Sequence, residues 1–259
     1  MDTDKRYICL KSGAIAALAA SDLDEKCALT QSLASNWQTH RLSLSSDRKL
    51  LPPERPGRPE IPILIAPQKM RKRSIRSEAG MIALLHSIAH IELNAIDLAL
   101  DIIARFASTN MPRSFFDGWV MVAKEEAKHF QLLQGRLADF SARYGDLPAH
   151  DGLWEAAQKT GHDLTARLAI IPLVLEARGL DVTPSLIRQI REIGDDKTAD
   201  IFSIIYEDEK GHVAVGAKWF RFLCQKQGLE PAATFQKMVK EYFRGPLKPP
   251  FNELARAKS

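Results

Sequence analysis

The sequence predicts an all-α protein organised around a four-helix bundle. From residue 77 onward, apolar residues recur at three- and four-residue spacing, as in amphipathic helices, and we find no convincing β-strand. Four helical stretches each carry a glutamate in the middle of the apolar stripe. The first two glutamates are 34 residues apart, the last two are 33 apart, and 50 residues separate the pairs. This spacing favours two antiparallel helix pairs joined by a long crossover between the second and third helices.

The N-terminal part, residues 1–76, is predicted to pack on the bundle as a helical and extended segment. Residues 12–37 have helical periodicity and are expected to form one or two helices. Residues 50–68, LLPPERPGRPEIPILIAPQ, contain too many prolines for a regular helix or a central strand. A basic cluster follows, and it is either a solvated loop or a contact for phosphate or RNA. Its members are Lys69, Arg71, Lys72, Arg73 and Arg76.

The bundle is predicted over residues 77–228. Its long helices are expected at residues 77–108, 112–144, 163–178 and 196–227, with short helices at 151–160 and from Thr183-Pro184 onward. Proline suits the first turn of a helix and glycine its C-terminal end, which places Pro112 at a start and Gly145, Gly179 and Gly228 just after the ends. Residues 229–259 are expected to add a short helix at 232–243 and an irregular tail.

Two copies of an acid-Glu-x-x-His motif, at residues 125–129 and 208–212, carry the functional prediction. A Glu and a His three residues apart share one face of a helix, so each motif can present a carboxylate and an imidazole to the same metal. One glutamate from each of the other two long helices completes the dinuclear site of ferritin-like bundles. The predicted ligands are Glu92, Glu126, His129, Glu176, Glu209 and His212.

The apolar surroundings of the four glutamates strengthen this prediction. An isolated Glu-x-x-His pair is usually a solvated helix face, but here each glutamate lies in a core-facing stripe. A buried carboxylate is costly unless it is paired or binds metal, and four of them close together repel one another. Two cations would remove that repulsion, and carboxylate with imidazole suits iron or manganese better than copper.

Three further side chains are expected near the site. Metal-bound histidines usually donate their second N–H to a carboxylate, so we expect Asp208 to pair with His129 and Glu125 with His212. Simple solvent exposure of the two acids is the alternative. Tyr206, one turn before Glu209, is either a catalytic candidate or a core tyrosine with a satisfied hydroxyl.

Composition places few limits on function. The net charge is +4, and apolar residues make up 45% of the chain, which is ordinary for a soluble protein. Three scattered cysteines indicate a reducing compartment rather than a disulfide framework. Neither a signal peptide nor an apolar stretch of membrane-spanning length is recognisable, so we expect a cytoplasmic protein with no membrane partner.

Several segments resemble a known family. LLHSIAHIELNAIDLALD, EEAKHFQLL, YGDLPAHDGLWEAA, LEARGLDVTP, DEKGHVAVGAKWF and PPFNELAR are similar to the ferritin-like bacterial family catalogued as domain of unknown function 455. The resemblance covers nearly the whole chain. It implies a ferritin-like fold and metal ligands at the six positions given above. It does not supply a settled reaction.

The leading functional hypothesis is an oxidoreductase with two iron ions that activates O₂ to oxidise or hydroxylate a substrate. We expect that substrate to be a small molecule or a group carried on a nucleic acid. The other partners considered are a reductase and a second copy of this chain in a homodimer. Four alternatives stay open: a ferroxidase or iron-handling protein, a manganese catalase, a metal-free scaffold, and an RNA-binding module that uses the basic cluster.

Overall fold

A computed structural model describes residues 9–44, 50–70, 73–245 and 247–258 of the chain. Throughout this part the regular elements are helical, and strand-like pairing is limited to two isolated bridges, Cys9 with Ser43 and Leu64 with Ala149. The all-α prediction is confirmed. The α-helices are α1 Leu10–Ala19, α2 Leu23–Gln38, α3 Glu78–Arg105, α4 Arg113–Asp139, α5 Gly152–Thr160, α6 Leu164–Ile170, α7 Ala177–Glu192, α8 Asp196–Gln227, α9 Pro231–Tyr242 and α10 Glu253–Lys258. A 3₁₀ turn covers Pro67–Lys69, and a π-helical turn, Ile171–Glu176, joins α6 to α7.

The helices pack around one large apolar core, and a small second cluster of Ala177, Leu180, Val213 and Ala255 lies between α7, α8 and α10. α3 lies along α4, α7 lies along α8, and α4 also contacts α8. The N-terminal helices α1 and α2 pack on α3 and α4, and their buried side chains belong to the same core cluster. The division into residues 1–76, 77–228 and 229–259 stays a prediction, since this core runs through all three.

Buried charges on α3 attach the N-terminal part to it. Asp97 Oδ1 lies 2.7 Å from Lys26 Nζ, and both side chains are completely buried. Arg58 donates to Asp97 and to Asn94 as well, which fixes the proline-rich segment on the same helix. Removing Asp97 would leave the buried Lys26 charge uncompensated, which costs about 3–5 kcal/mol.

The prediction for the end of the second bundle helix is wrong. α4 ends at Asp139, and Ser141 (φ 54°) takes the left-handed conformation that usually follows a helix. Gly145 (φ 109°) lies further on, in the loop, where a side chain would meet Ile61. Ser141, and not Gly145 as the sequence predicted, therefore adopts the left-handed conformation after α4.

The predicted helix boundary at Gly179 is also wrong, since α7 runs through it and through Pro184 without a break. Proline at 184 cannot donate to the carbonyl of Leu180, four residues earlier. Asn252 Nδ2 donates to that carbonyl instead, at 3.1 Å. A side chain from the C-terminal segment thus compensates the missing hydrogen bond, and that segment, predicted to be irregular, contains the short helix α10.

One helix has the length and composition of a membrane span. α3 contains an 18-residue window that is apolar enough to cross a membrane, whereas we expected no such stretch from the sequence. However, 61% of that window is buried inside the protein. A core helix of a soluble protein has these properties. The cytoplasmic location stays a prediction.

Candidate metal centre

Three of the long helices bring four predicted ligands together. α3 contributes Glu92, α4 contributes Glu126 and His129, and α8 contributes Glu209. One ligand atom from each of the four lies within 4.8 Å of the others, and all four side chains are buried. The group has the donor types and the spacing needed to hold a metal ion.

The half of the site between α3 and α4 is held by short contacts. His129 Nδ1 lies 3.1 Å from Glu92 Oε2 and 3.4 Å from Glu126 Oε2. Glu92 is 3% exposed, and the other two side chains are fully buried. An imidazole nitrogen and two carboxylates therefore face one point inside the protein.

The other half involves His212, Glu209 and Glu176. His212 Nδ1 lies 2.9 Å from Glu126 Oε1 and 3.6 Å from Glu209 Oε1, but neither contact has hydrogen-bond geometry. Glu176 lies close enough for the charges of Glu209 and Glu126 to raise its pKa, in addition to the effect of burial. Glu126 is thus shared, with one oxygen toward each histidine.

The outer nitrogens of both histidines bind the acids that precede the motif glutamates. His129 Nε2 donates to Asp208 Oδ2 at 2.9 Å, and His212 Nε2 donates to Glu125 Oε2 at 2.8 Å. These are the two cross-bundle pairs that the sequence predicts. Lys128 Nζ also donates to Asp208 Oδ2, at 3.0 Å. The carboxylates fix both rings with Nδ1 pointing inward.

Unpartnered polar atoms concentrate at this site. In the part of the chain that the structure describes, five buried side-chain nitrogen or oxygen atoms lack a hydrogen-bond partner. One is Trp119 Nε1, and the other four belong to predicted ligands: Glu126 Oε1, Glu176 Oε2, Glu209 Oε2 and His212 Nδ1. Buried polar groups are normally satisfied, so four exceptions in one cluster indicate a missing partner. Carboxylate and imidazole donors of this kind fit a pair of divalent cations.

The protonation states show what a metal would replace. Burial and the neighbouring Glu126 raise the pKa of Glu92 well above its usual value. Burial alone would lower the pKa of His129, but hydrogen bonds to Glu126 and Glu92 raise it to about 11. Burial likewise opposes the charged form of Glu126, yet the charge on His212 and the hydrogen bond from His129 lower its pKa. Without metal, protons on the histidines and on Glu92 hold the carboxylates together.

Comparison with known proteins places the chain in a family. The profile of the family described as "Protein of unknown function (DUF455)" matches residues 19–259. The chain belongs to this family. A Haemophilus influenzae protein, described only as an uncharacterized protein, is 40% identical over 234 residues, which cover 87% of this chain and 81% of the relative. No solved structure matches the chain.

The π-helical turn positions Glu176 in this DUF455 family member. Pro172 lacks an N–H and cannot continue an α-helical hydrogen-bond pattern, and residues 171–176 wind as a π-helix instead. Gly216 of α8 makes the packing feasible, since a Cβ there would lie 2.4 Å from Pro172 Cβ. Glu176 remains partly exposed, although its Oε2 is buried.

Tyr206 and the basic cluster are the remaining residues that the sequence singled out. The hydroxyl of Tyr206 accepts a hydrogen bond from Asn252 Nδ2 at 3.2 Å, which fits the core-tyrosine alternative. Of the basic cluster, Lys69, Arg73 and Arg76 are exposed, and Arg71 and Lys72 fall outside the described residues. The role of Gly216 was missed by sequence reasoning, because its constraint comes from a proline on another helix.

Proposed function

We propose that this protein is a ferritin-like, dinuclear metal oxidoreductase that uses two iron ions and O₂ to oxidise a substrate. In this proposal α3, α4, the α6–α7 segment and α8 are the four helices of the bundle. Glu92, Glu126 and His129 would hold one ion. Glu126 would also hold the second ion, together with Glu176, Glu209 and His212.

The observation that carries the proposal is the set of four unpartnered buried atoms on predicted ligands. Leaving one buried polar group unsatisfied costs about 1–3 kcal/mol, so a stable protein does not collect four at one point without a partner to bind them. The two acid-Glu-x-x-His motifs support the same residues, because they supply four of the six ligands in this proposal.

The chain's own residues prepare this site for redox chemistry. Bound iron(II) would supply electrons for the reduction of O₂. The apolar side chains around the site exclude water, as the fully buried Trp119, Val122 and Phe130 on α4 illustrate. Asp208 and Glu125 hold the imidazoles in one orientation and accept their outer protons. Repeated turnover needs an external electron donor, which we propose is a reductase.

Iron binding tests the proposal directly. Metal-free protein is titrated with iron(II) without oxygen, and about two ions per chain are expected in the wild type. Exposure to O₂ should then give the Mössbauer signature of a coupled ferric pair. Glu126→Ala removes the shared carboxylate and should abolish binding of both ions, whereas Glu207→Ala, an exposed position on α8, should retain both.

Two outcomes would count against the proposal. Equal iron binding by wild type and Glu126→Ala would show that iron binds elsewhere. Rapid disproportionation of peroxide by the manganese-loaded protein, with no oxidation of the iron-loaded protein by O₂, would assign the site to manganese catalase instead.

A further inference from the structure

A second cavity lies beside α3, outside the metal centre. It has a volume of about 530 Å³ and is formed by the end of the proline-rich region and the residues that follow it, by one turn of α3 and by the loop that precedes α5. Its apolar wall consists of Ile65, Pro67, Met70, Ala83, Leu147 and Pro148. His86, which lines this cavity, is six residues before Glu92, or roughly 9 Å along the helix axis. The cavity is therefore separate from the proposed metal ligands.

The polar groups of this cavity are all donors or cations. Lys69 and Arg73 line it, both are exposed, and neither forms an ion pair within the described residues. Arg73 donates only a long hydrogen bond, 3.4 Å, to the Ala79 carbonyl. Ser87 adds a hydroxyl, and none of the described wall residues is acidic.

His86 adds a ring N–H donor to the same cavity. It is 2% exposed, and its Nε2 accepts hydrogen bonds from the backbone N–H groups of Gly145 and Leu147, at 3.0 and 3.4 Å. A ring nitrogen that accepts hydrogen bonds carries no proton, so the proton of the neutral ring is on Nδ1. Burial lowers the pKa of His86, which keeps the ring neutral. Within the described part of the chain, that Nδ1–H has no acceptor.

We propose that this cavity binds a small organic anion that consists of an apolar body and one phosphate or carboxylate group. The apolar body would lie against Pro67, Met70 and Pro148. The anionic group would lie between Lys69 and Arg73 at the rim and accept the Nδ1–H of His86. A pair of cations without carboxylate partners, a ring N–H without an acceptor and an apolar wall in one cavity are what such a ligand needs. This site does not depend on the proposed oxidoreductase activity.

Fluorescence of 8-anilinonaphthalene-1-sulfonate, an apolar body with one anionic group, tests the proposal on the full-length protein. Arg73→Glu replaces attraction by repulsion and should weaken dye binding about tenfold. Arg76→Glu makes the same charge change in the same cluster, but Arg76 does not line the cavity, so it should change binding less than about twofold. Equal weakening by both variants, or none by Arg73→Glu, would overturn the proposal.

A second variant tests the location without changing charge. Ala83→Trp fills the apolar wall and should abolish dye binding, while thermal unfolding followed by circular dichroism checks that the protein still folds. Dye binding that persists in a folded Ala83→Trp protein would place the dye elsewhere and overturn the proposal.

Displacement of the dye identifies the anionic group. Phenyl phosphate and benzoate have the same ring, and benzyl alcohol is their uncharged counterpart. Displacement by phenyl phosphate alone would assign a phosphate ligand, and displacement by benzoate alone a carboxylate; displacement by both supports the shared anion chemistry. If neither anion displaces the dye better than benzyl alcohol, the cavity does not recognise anions and the proposal is wrong.

Discussion

The two halves of the candidate metal centre differ in how far the protein satisfies its own ligand atoms. Between α3 and α4, His129 Nδ1 has two carboxylate partners, and Glu92 is 3% exposed. In the other half, His212 Nδ1 and Glu176 Oε2 have no hydrogen-bond partner, and Glu176 is partly exposed. Without metal, the protein therefore satisfies the inner histidine nitrogen of the first half, whereas the second half keeps ligand atoms that have no hydrogen bond.

The backbone explains this difference. α3 and α4 are regular helices through the site, so their ligands lie at ordinary helical spacing. The α6–α7 segment is interrupted by the π-helical turn that ends at Glu176. Such turns are frequent at functional sites, because they redirect a side chain without breaking the helix. We infer that the ligand positions of the second half, which include Glu176, adjust to the group that binds there.

The largest expected effect comes from Gly216→Ala. The added Cβ would lie 2.4 Å from Pro172 Cβ, so the rigid proline and the π-helical turn must move. We expect the free energy of unfolding to fall by about 1–3 kcal/mol, the usual cost of overpacking, and iron binding to fall from about two ions per chain to one. Chemical denaturation and metal analysis measure the two effects.

Gly211→Ala is the matched control for this prediction. It lies on the same helix, and a Cβ there meets nothing within 4 Å. Replacing a glycine inside a helix by alanine should stabilise the protein by roughly 0.5–1 kcal/mol and leave metal binding unchanged. If Gly216→Ala also binds two ions with wild-type affinity, the π-helical turn does not control the second half.

A smaller effect is expected from the carboxylates behind the histidines. Glu125→Gln and Asp208→Asn keep the shape of each side chain but remove the charge that orients the ring. Each should weaken metal binding about 10- to 100-fold, as measured by competition with a chelator. Asp208→Asn tests the first half, because Asp208 accepts hydrogen bonds from His129 and Lys128. Glu125→Gln tests the second half, because Glu125 accepts a hydrogen bond from His212.

Lys128→Met separates charge from orientation in this experiment. It removes the lysine but leaves the hydrogen bond between His129 and Asp208 in place. Only a small loss is expected, because an exposed ion pair contributes about 0–1 kcal/mol. Should the two carboxylate variants lose no more affinity than Lys128→Met, their hydrogen bonds do not support metal binding.

The sequence predicts local features better than those that depend on distant contacts. The start and end of α8 were predicted correctly, because the residues that cap them, Asp195 and Gly228, directly adjoin the helix. The spacing of the motifs also predicted which acid would face which histidine. The continuity of α7 through Pro184 could not be predicted, because its compensation comes from Asn252, which is 72 residues from the Leu180 carbonyl it satisfies.

The last expected effect, which is small for each pH unit but accumulates over the range, is the pH dependence of the stability of the metal-free protein. The pKa values of Glu92 and His129 are raised on folding, so the folded state binds more protons than the unfolded state and stability falls as pH rises. The His129 contribution is complete below the ordinary histidine pKa of about 6.5. It is lost as pH rises through the folded value of about 11. Denaturation in the presence of a chelator between about pH 6 and 9 should show this decline, by at most about 1.4 kcal/mol per pH unit for each proton.

Metal should reverse this dependence, because binding displaces the protons from both histidines and Glu92 and therefore strengthens as pH rises. His129→Gln should reduce the slope of the metal-free protein, whereas His162→Gln, an exposed histidine hydrogen-bonded to Tyr242, should not. Stability of the metal-free protein that rises between about pH 6 and 9 would contradict the protonated cluster. The first half would then be held together by something other than protons on His129 and Glu92, and its contrast with the second half would need another cause.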